Sequence, residues 1–232
     1  MTSSPTPSPR ARILAAVVDL LRAQDPAQVS ITAVVRQAGT TRPTFYRQVG
    51  DLPTAFAEAA VTRIDAAFTA AGVGPLGAVD GASRASSAAT RRVDLHDVAP
   101  EDLPAMERVI TGIVEDLAPD AAFFRRVLLG HGGHRVQLRV IEAVAEELRI
   151  ASPLAPALAR GPLPPTFAAQ TLAAGVSWAM LDWFAEDQRP PAATIAHRLT
   201  TYLHRSVIGG LGSPPTAPTP DLPTTPEERK NP

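Results

Sequence analysis

The sequence predicts an all-α protein with a three-helix head joined through a long helix to a helical body. Three observations lead there. Apolar residues recur at three- and four-residue spacing through most of the chain, which is the period of a helix with one buried face. No long stretch alternates apolar and polar residues as a half-buried strand does. Helix-capping and helix-stopping residues stand at the ends of the periodic segments. With 232 residues, 45 % of them hydrophobic, the chain can build a sizeable core.

The first helix is expected over 11–23, with Ile13, Leu14, Val17, Val18 and Leu21 on one face, ending before Asp25 and Pro26. Ser30 caps a second helix carrying Ile31, Val34, Val35 and Ala38, and Gly39 stops it. Thr41 caps a short third helix with Pro43 in its first turn, where a missing N–H is harmless, and Phe45 and Val49 inward. Asp51 caps a fourth, with Leu52, Phe56, Ala60, Ile64 and Phe68 spaced by four until Gly72; at 1.5 Å per residue it is about 30 Å long. Residues 72–100 turn Gly-, Ala- and Ser-rich and read as a linker. Five further helices are expected over 103–117, 120–129, 134–149, 166–186 and 192–208. Prolines between 153 and 165 mark a loop, and Pro190-Pro191 a turn. Residues 1–9 and the Pro-rich 212–232 read as disordered tails. The domains are then 10–56 for the head and 57–211 for the body.

Composition narrows the function. The absence of cysteine excludes disulfide scaffolds, thiolate metal sites and cysteine nucleophiles. The start lacks the basic and apolar regions of a secretory signal, which points to the cytoplasm. The longest uncharged run, 161–181, opens with three prolines and carries Thr166, Gln170, Thr171 and Ser177, so a buried helix is expected there and no membrane span. Among 22 basic residues only Lys230 is lysine; anions would be held by arginine forks. Arg10, Arg12, Arg22, Arg36, Arg42 and Arg47 face only Asp19 and Asp25 across 10–50, so a basic head (+4) precedes an acidic remainder (−5) within the net −1. That asymmetry is compatible with a nucleic-acid partner.

Helix, Gly-containing turn and short helix over 30–49 match the helix-turn-helix plan, in which the second helix enters the major groove. Thr40, Thr41, Arg42, Thr44, Tyr46, Arg47 and Gln48 are its expected exposed set. Arginine reaches guanine bidentately, while hydroxyls and amides reach phosphates. An ordinary helical hairpin with a solvated face has the same periodicity, and the residues alone leave both readings open.

Residues 12–56 resemble the DNA-binding domain of the tetracycline-repressor (TetR) family of one-component regulators. The resemblance is carried by Ala38, Gly39, Thr44, Phe45, Tyr46 and Val49 in the pattern A-G-x-x-x-x-T-(aromatic or Leu)-Y-x-x-(apolar), with a small-apolar first helix upstream. It implies groove contacts from Arg42, Pro43, Thr44 and Arg47 and phosphate contacts from Thr41, Tyr46 and Gln48; Ser30 and Thr40 complete the expected DNA-binding set. Three positions depart from the family pattern: Gln48 replaces His, Val49 replaces Phe, and Leu52 replaces a Lys that would contact phosphate.

The body, 103–209, is similar to the family's ligand-binding domain in two stretches, 119–129 and 178–183 with the Pro190-Pro191 turn and last helix. The resemblance implies a homodimer through the last two helices; Ala168, Ala169, Ala173, Ala174, Gly175 and Ala179 leave room for close helix approach. A small-molecule effector would sit among Met106, Ile110, Ile113, Phe124, Val127, Leu128, Val140, Ile141, Val144, Trp178 and Leu181, with Asp182, Arg139, Gln137 or Gln170 to orient it. For each apolar member plain core packing is the commoner role. Gly72 to Gly77 fits GxGxxG literally but lacks the preceding strand of a dinucleotide site. His131 and His134 lack further ligands for a metal, and no nucleophile or zincin motif is present, so neither cofactor nor catalysis is expected. The expectation is a ligand-responsive homodimeric repressor on an operator duplex. The alternative is a helical small-molecule-binding or interaction protein whose head no longer binds DNA.

Overall fold

Local chemistry fixes where the helices begin. In the computed structural model, which describes residues 7–73, 103–130, 132–150 and 152–207, Ser8, Ser30, Thr41 and Asp51 each accept a backbone N–H three residues on, at Ala11, Ala33, Thr44 and Thr54. Those bonds satisfy donors a helix start leaves open. They open α1 (Pro9–Ala23), α2 (Ile31–Gln37), α3 (Arg42–Val49) and α4 (Leu52–Ala70). The body follows with α5 (Leu103–Leu117), α6 (Ala121–Leu129), α7 (Gly133–Ile150), α8 (Ala155–Arg160), α9 (Pro165–Ala185) and α10 (Ala192–Ser206). Short 3₁₀ turns, Pro26–Gln28 and Ala118–Asp120, lie after α1 and between α5 and α6. No strand occurs among the described residues.

Packing converts these helices into two layers that share α4. In the head, α1 rests on α2, α3 and α4, burying Ile13, Val17, Leu21, Val34 and Phe45 completely. In the body, α7 lies against both α9 and α4, α5 lies along α10, and α6 fills the space between α7 and α9. The core runs without interruption from head to body. Phe124 stacks on Phe184 with centroids 4.8 Å apart and meets Phe123 edge-on at 5.0 Å, geometries that favour aromatic pairs.

Three boundaries differ from the sequence expectation. α1 begins at Pro9, inside the expected 1–9 tail, because Ser8 caps it and proline suits a first turn. The expected loop before α9 contains α8, whose first turn also holds a proline. α10 ends at Ser206, and Ile208 lies outside the described residues. So do nearly all of the expected linker, from 74 to 100, and the tail 212–232.

Candidate nucleic-acid interface

The turn between α2 and α3 is built from backbone upward. Gly39 has φ +59°, a conformation glycine adopts without a Cβ penalty. Its N–H bonds the Arg36 carbonyl at 3.3 Å and the Thr40 N–H bonds the Val35 carbonyl at 2.9 Å, the paired closure of a Schellman stop. Arg12 on α1 donates from Nε to the Ala38 carbonyl at 3.2 Å, tying the turn to the first helix. Phe45 is 0 % exposed and Val49 is buried, so α3 is anchored by one face.

The opposite face of α3 is open. Thr41, Arg42, Pro43, Tyr46 and Arg47 are exposed, Thr40, Thr44 and Gln48 half-buried, and Ser30 exposed at the start of α2. Tyr46 is 56 % exposed, its ring held edge-on to Phe45 at 5.8 Å. Arg42 donates to the Thr32 hydroxyl at 2.6 Å, and the Thr41 and Thr44 hydroxyls are 3.0 Å apart. Thr32, on α2, is a member of this surface that sequence reasoning missed; its only signal is its place in the first turn of α2. Residues 26–50 contain no carboxylate, so phosphates would meet no fixed negative charge there.

The basic balance of the head divides in two. Arg10 binds Glu58 at 2.7 Å, Arg12 holds the turn, and Arg22 binds Asp120 at 2.6 Å. Arg36 and Arg47 make no ion pair among the described residues, and both are exposed. Half of the arginine charge counted in the sequence therefore serves the protein's own architecture, and Arg36, Arg42 and Arg47 remain on the open side. At the start of α4, Leu52 is half-buried against the core and Asp51 pairs loosely with Arg135 of α7 at 4.0 Å.

The residues expected to wall an effector site fall in three groups. Phe124, Val127, Leu128, Val140, Val144 and Leu181 are buried in the core; Met106, Ile110, Ile113 and Ile141 are half-buried; Trp178, 70 % exposed, and Asp182 lie on the open side of α9. Gln137 donates to the Leu128 carbonyl and Arg139 to Glu58, both as internal braces, while Gln170 is exposed. Two open depressions lie elsewhere, at the seam between head and body. One, about 280 Å³, is bounded by Asp25, Pro26, Arg126 and Leu129; the other, about 240 Å³, by Leu14, Val18, Thr62 and Ala66.

The discounted motifs sit apart from any site. Gly72 ends α4 with φ +79°, and the rest of its GxGxxG lies outside the described residues, as does His131. His134 is exposed, and His197 is 3.1 Å from Glu107. No group of metal-binding side chains occurs among the described residues, and no described helix is long and apolar enough to cross a membrane.

Comparison with known proteins places this architecture. No protein-family model matches the chain, and no curated protein sequence does. Among solved structures it is similar to the TetR-family repressor AlkX from Dietzia sp. strain DQ12-45-1b, implicated in biodegradation of n-alkanes, over 86 % of this chain and 97 % of that one, at 18 % identity and a TM-score of 0.50. A TetR-family transcriptional regulator, PfmR from Thermus thermophilus, aligns over 86 % and 98 % at 14 % identity with a TM-score of 0.36. The chain thus has the all-helical fold of the first of these TetR-family repressors.

Proposed function

We propose that this protein is a TetR-type DNA-binding transcriptional regulator, a homodimer that occupies an operator and is released by a small molecule. The observation that carries the reading is the carboxylate-free outer face of α3, held on a Gly39 turn that Arg12 and Phe45 fix from behind. Two such helices in one dimer would enter successive major grooves about 34 Å apart. Arg42 and Arg47 would read base edges beside Pro43 and Thr44, with Thr41, Tyr46, Gln48, Ser30 and Thr40 setting register on phosphates.

The dimer would form through α9 and α10. Phe167 and Trp178 stand exposed on α9 together with Ala174, on a face that also carries Gln170, Thr171 and Asp182; large uncovered aromatic side chains rimmed by polar ones favour a protein partner. Gly175 lets the Tyr202 ring of α10 approach the α9 backbone. The effector would displace side chains around Phe124, Val127, Leu128, Val140, Val144 and Leu181, with Met106, Ile110, Ile113 and Ile141 at the margin. It releases DNA to the extent that it binds the non-reading conformer more tightly.

A salt titration on duplexes selected from a random pool tests the reading. A regulator's affinity falls linearly in log–log form as salt rises. A chain that selects no duplex at low salt is instead the helical binding protein with a silent head, a reading favoured by the internal pairing of Arg10, Arg12 and Arg22.

A further inference from the structure

Asp120 is a buried carboxylate at the corner between α5 and α6, 4 % exposed, with each oxygen taken by a different helix. Arg22, in the last turn of α1, donates from Nε to Oδ1 at 2.6 Å, and Arg63, midway along α4, donates from Nε to Oδ2 at 2.6 Å. Arg63 also binds the Asp116 carboxylate at 2.6 Å and its carbonyl, so it is fixed to the end of α5. Arg126, one helix on, donates to the carbonyls of Leu21 and Arg22, acceptors that the end of α1 leaves open.

We propose that Asp120 is the positioning residue through which the body sets the orientation of the α1–α3 head. Apolar packing is non-directional, and the α1–α4 seam opens at the surface into a depression lined by Leu14, Val18, Arg22, Thr62, Arg63 and Ala66, so the apolar contact behind it does not by itself fix the angle of α1. A charge-assisted guanidinium bond is directional. A carboxylate so withdrawn from water tolerates little displacement from its partners, because an unpaired buried charge is costly. The end of α1 therefore follows the α5–α6 corner. Phe124, one turn beyond Asp120, belongs to the buried aromatic stack, so a ligand that shifted that stack would move the corner and, with it, the head. The inference takes residues 10–56 as a DNA-reading head from the proposal above, but its test needs no DNA.

The chain has no cysteine, so spin labels at Gln37→Cys in the head and Ala159→Cys in the body, both exposed positions, report one distance by pulsed electron resonance. Diluting labelled chain into unlabelled chain keeps that distance intramolecular whatever the oligomeric state. Asp120→Asn and Arg22→Gln, the latter removing only the α1 arm, are expected to widen or shift the distribution. Leu172→Ala, which opens a cavity in α9 on a helix that carries neither label, is expected to lower stability and leave the distribution as in the parent. Superimposable distributions for the parent, Asp120→Asn and Arg22→Gln overturn the proposal; so does equal widening in Leu172→Ala, which would reveal only general loosening. If the widened head is competent a tenth of the time, Asp120→Asn also binds a selected duplex about tenfold more weakly. A parent that binds no duplex refutes the DNA reading and leaves the distance result standing.

Discussion

Arg42 illustrates how much one side chain carries. It is exposed at the start of α3, yet its guanidinium is parked on the Thr32 hydroxyl, so reaching a guanine exchanges a single hydrogen bond to a hydroxyl for a bidentate pair. Arg42→Ala is expected to weaken specific DNA binding by about 1–3 kcal/mol, measured by competition at fixed salt, while leaving thermal stability within about 0.5 kcal/mol. Gly175 carries the opposite kind of constraint. A Cβ there would stand 2.6 Å from Cζ of Tyr202, and backbone or ring must move. Gly175→Ala should cost about 1–3 kcal/mol of stability by overpacking, and chemical denaturation should find most of that loss gone in a Tyr202→Ala background.

At the scale of elements, α1 is tied down by ion pairs at both of its ends. Glu58 of α4 accepts from Arg10 at its start and also from Arg139 of α7, while Asp120 accepts from Arg22 at its end. Burial opposes ionisation of both carboxyls, but the guanidinium hydrogen bonds and charges outweigh it and hold both below the ordinary carboxylate range. A carboxyl whose folded value is depressed stabilises the fold above its unfolded value, near 4, and that contribution is lost as pH falls through the lower folded value. Unfolding free energy followed by denaturant should therefore drop below about pH 4, with a shallower slope in Asp120→Asn. The N-caps make a simpler prediction: Ser30→Ala should cost about 1 kcal/mol, read as a lower denaturation midpoint. Helix starts were legible because their causes are local, as Ser30, Thr41 and Asp51 each act over three residues. The short α8 was not, because Pro153 and Pro156 read as loop punctuation although a first-turn proline is equally a helix start. Asp120 and Arg12 were invisible for another reason: their partners lie 98 and 26 residues away, beyond any spacing rule.

At the scale of the whole molecule, the assembly proposed through α9 and α10 has a direct test. Trp178→Glu places a charge on the face that a second copy would cover. The variant should elute as a monomer with light-scattering mass near 24.4 kDa. Its affinity for a two-half-site duplex should fall about a hundredfold or more, because linking two readers multiplies their affinities. All-helical architecture and the order of head, long helix and body could be read from periodicity; the exposure of Trp178 and Asp182 could not, because apolar residues are spread around α9 and periodicity assigns it no single inner face.

The two tryptophans sit in contrasting surroundings. Trp183 is buried, its indole N–H on the Pro190 carbonyl at 2.9 Å, and Arg189 lies 5.2 Å from its ring centroid, whereas Trp178 is bare. The molecule thus contains an intrinsic fluorophore on the face proposed for self-association and a second that is shielded within the chain. Dilution through the association range should move the emission maximum to longer wavelength and raise quenching by acrylamide, following assembly with no dye attached.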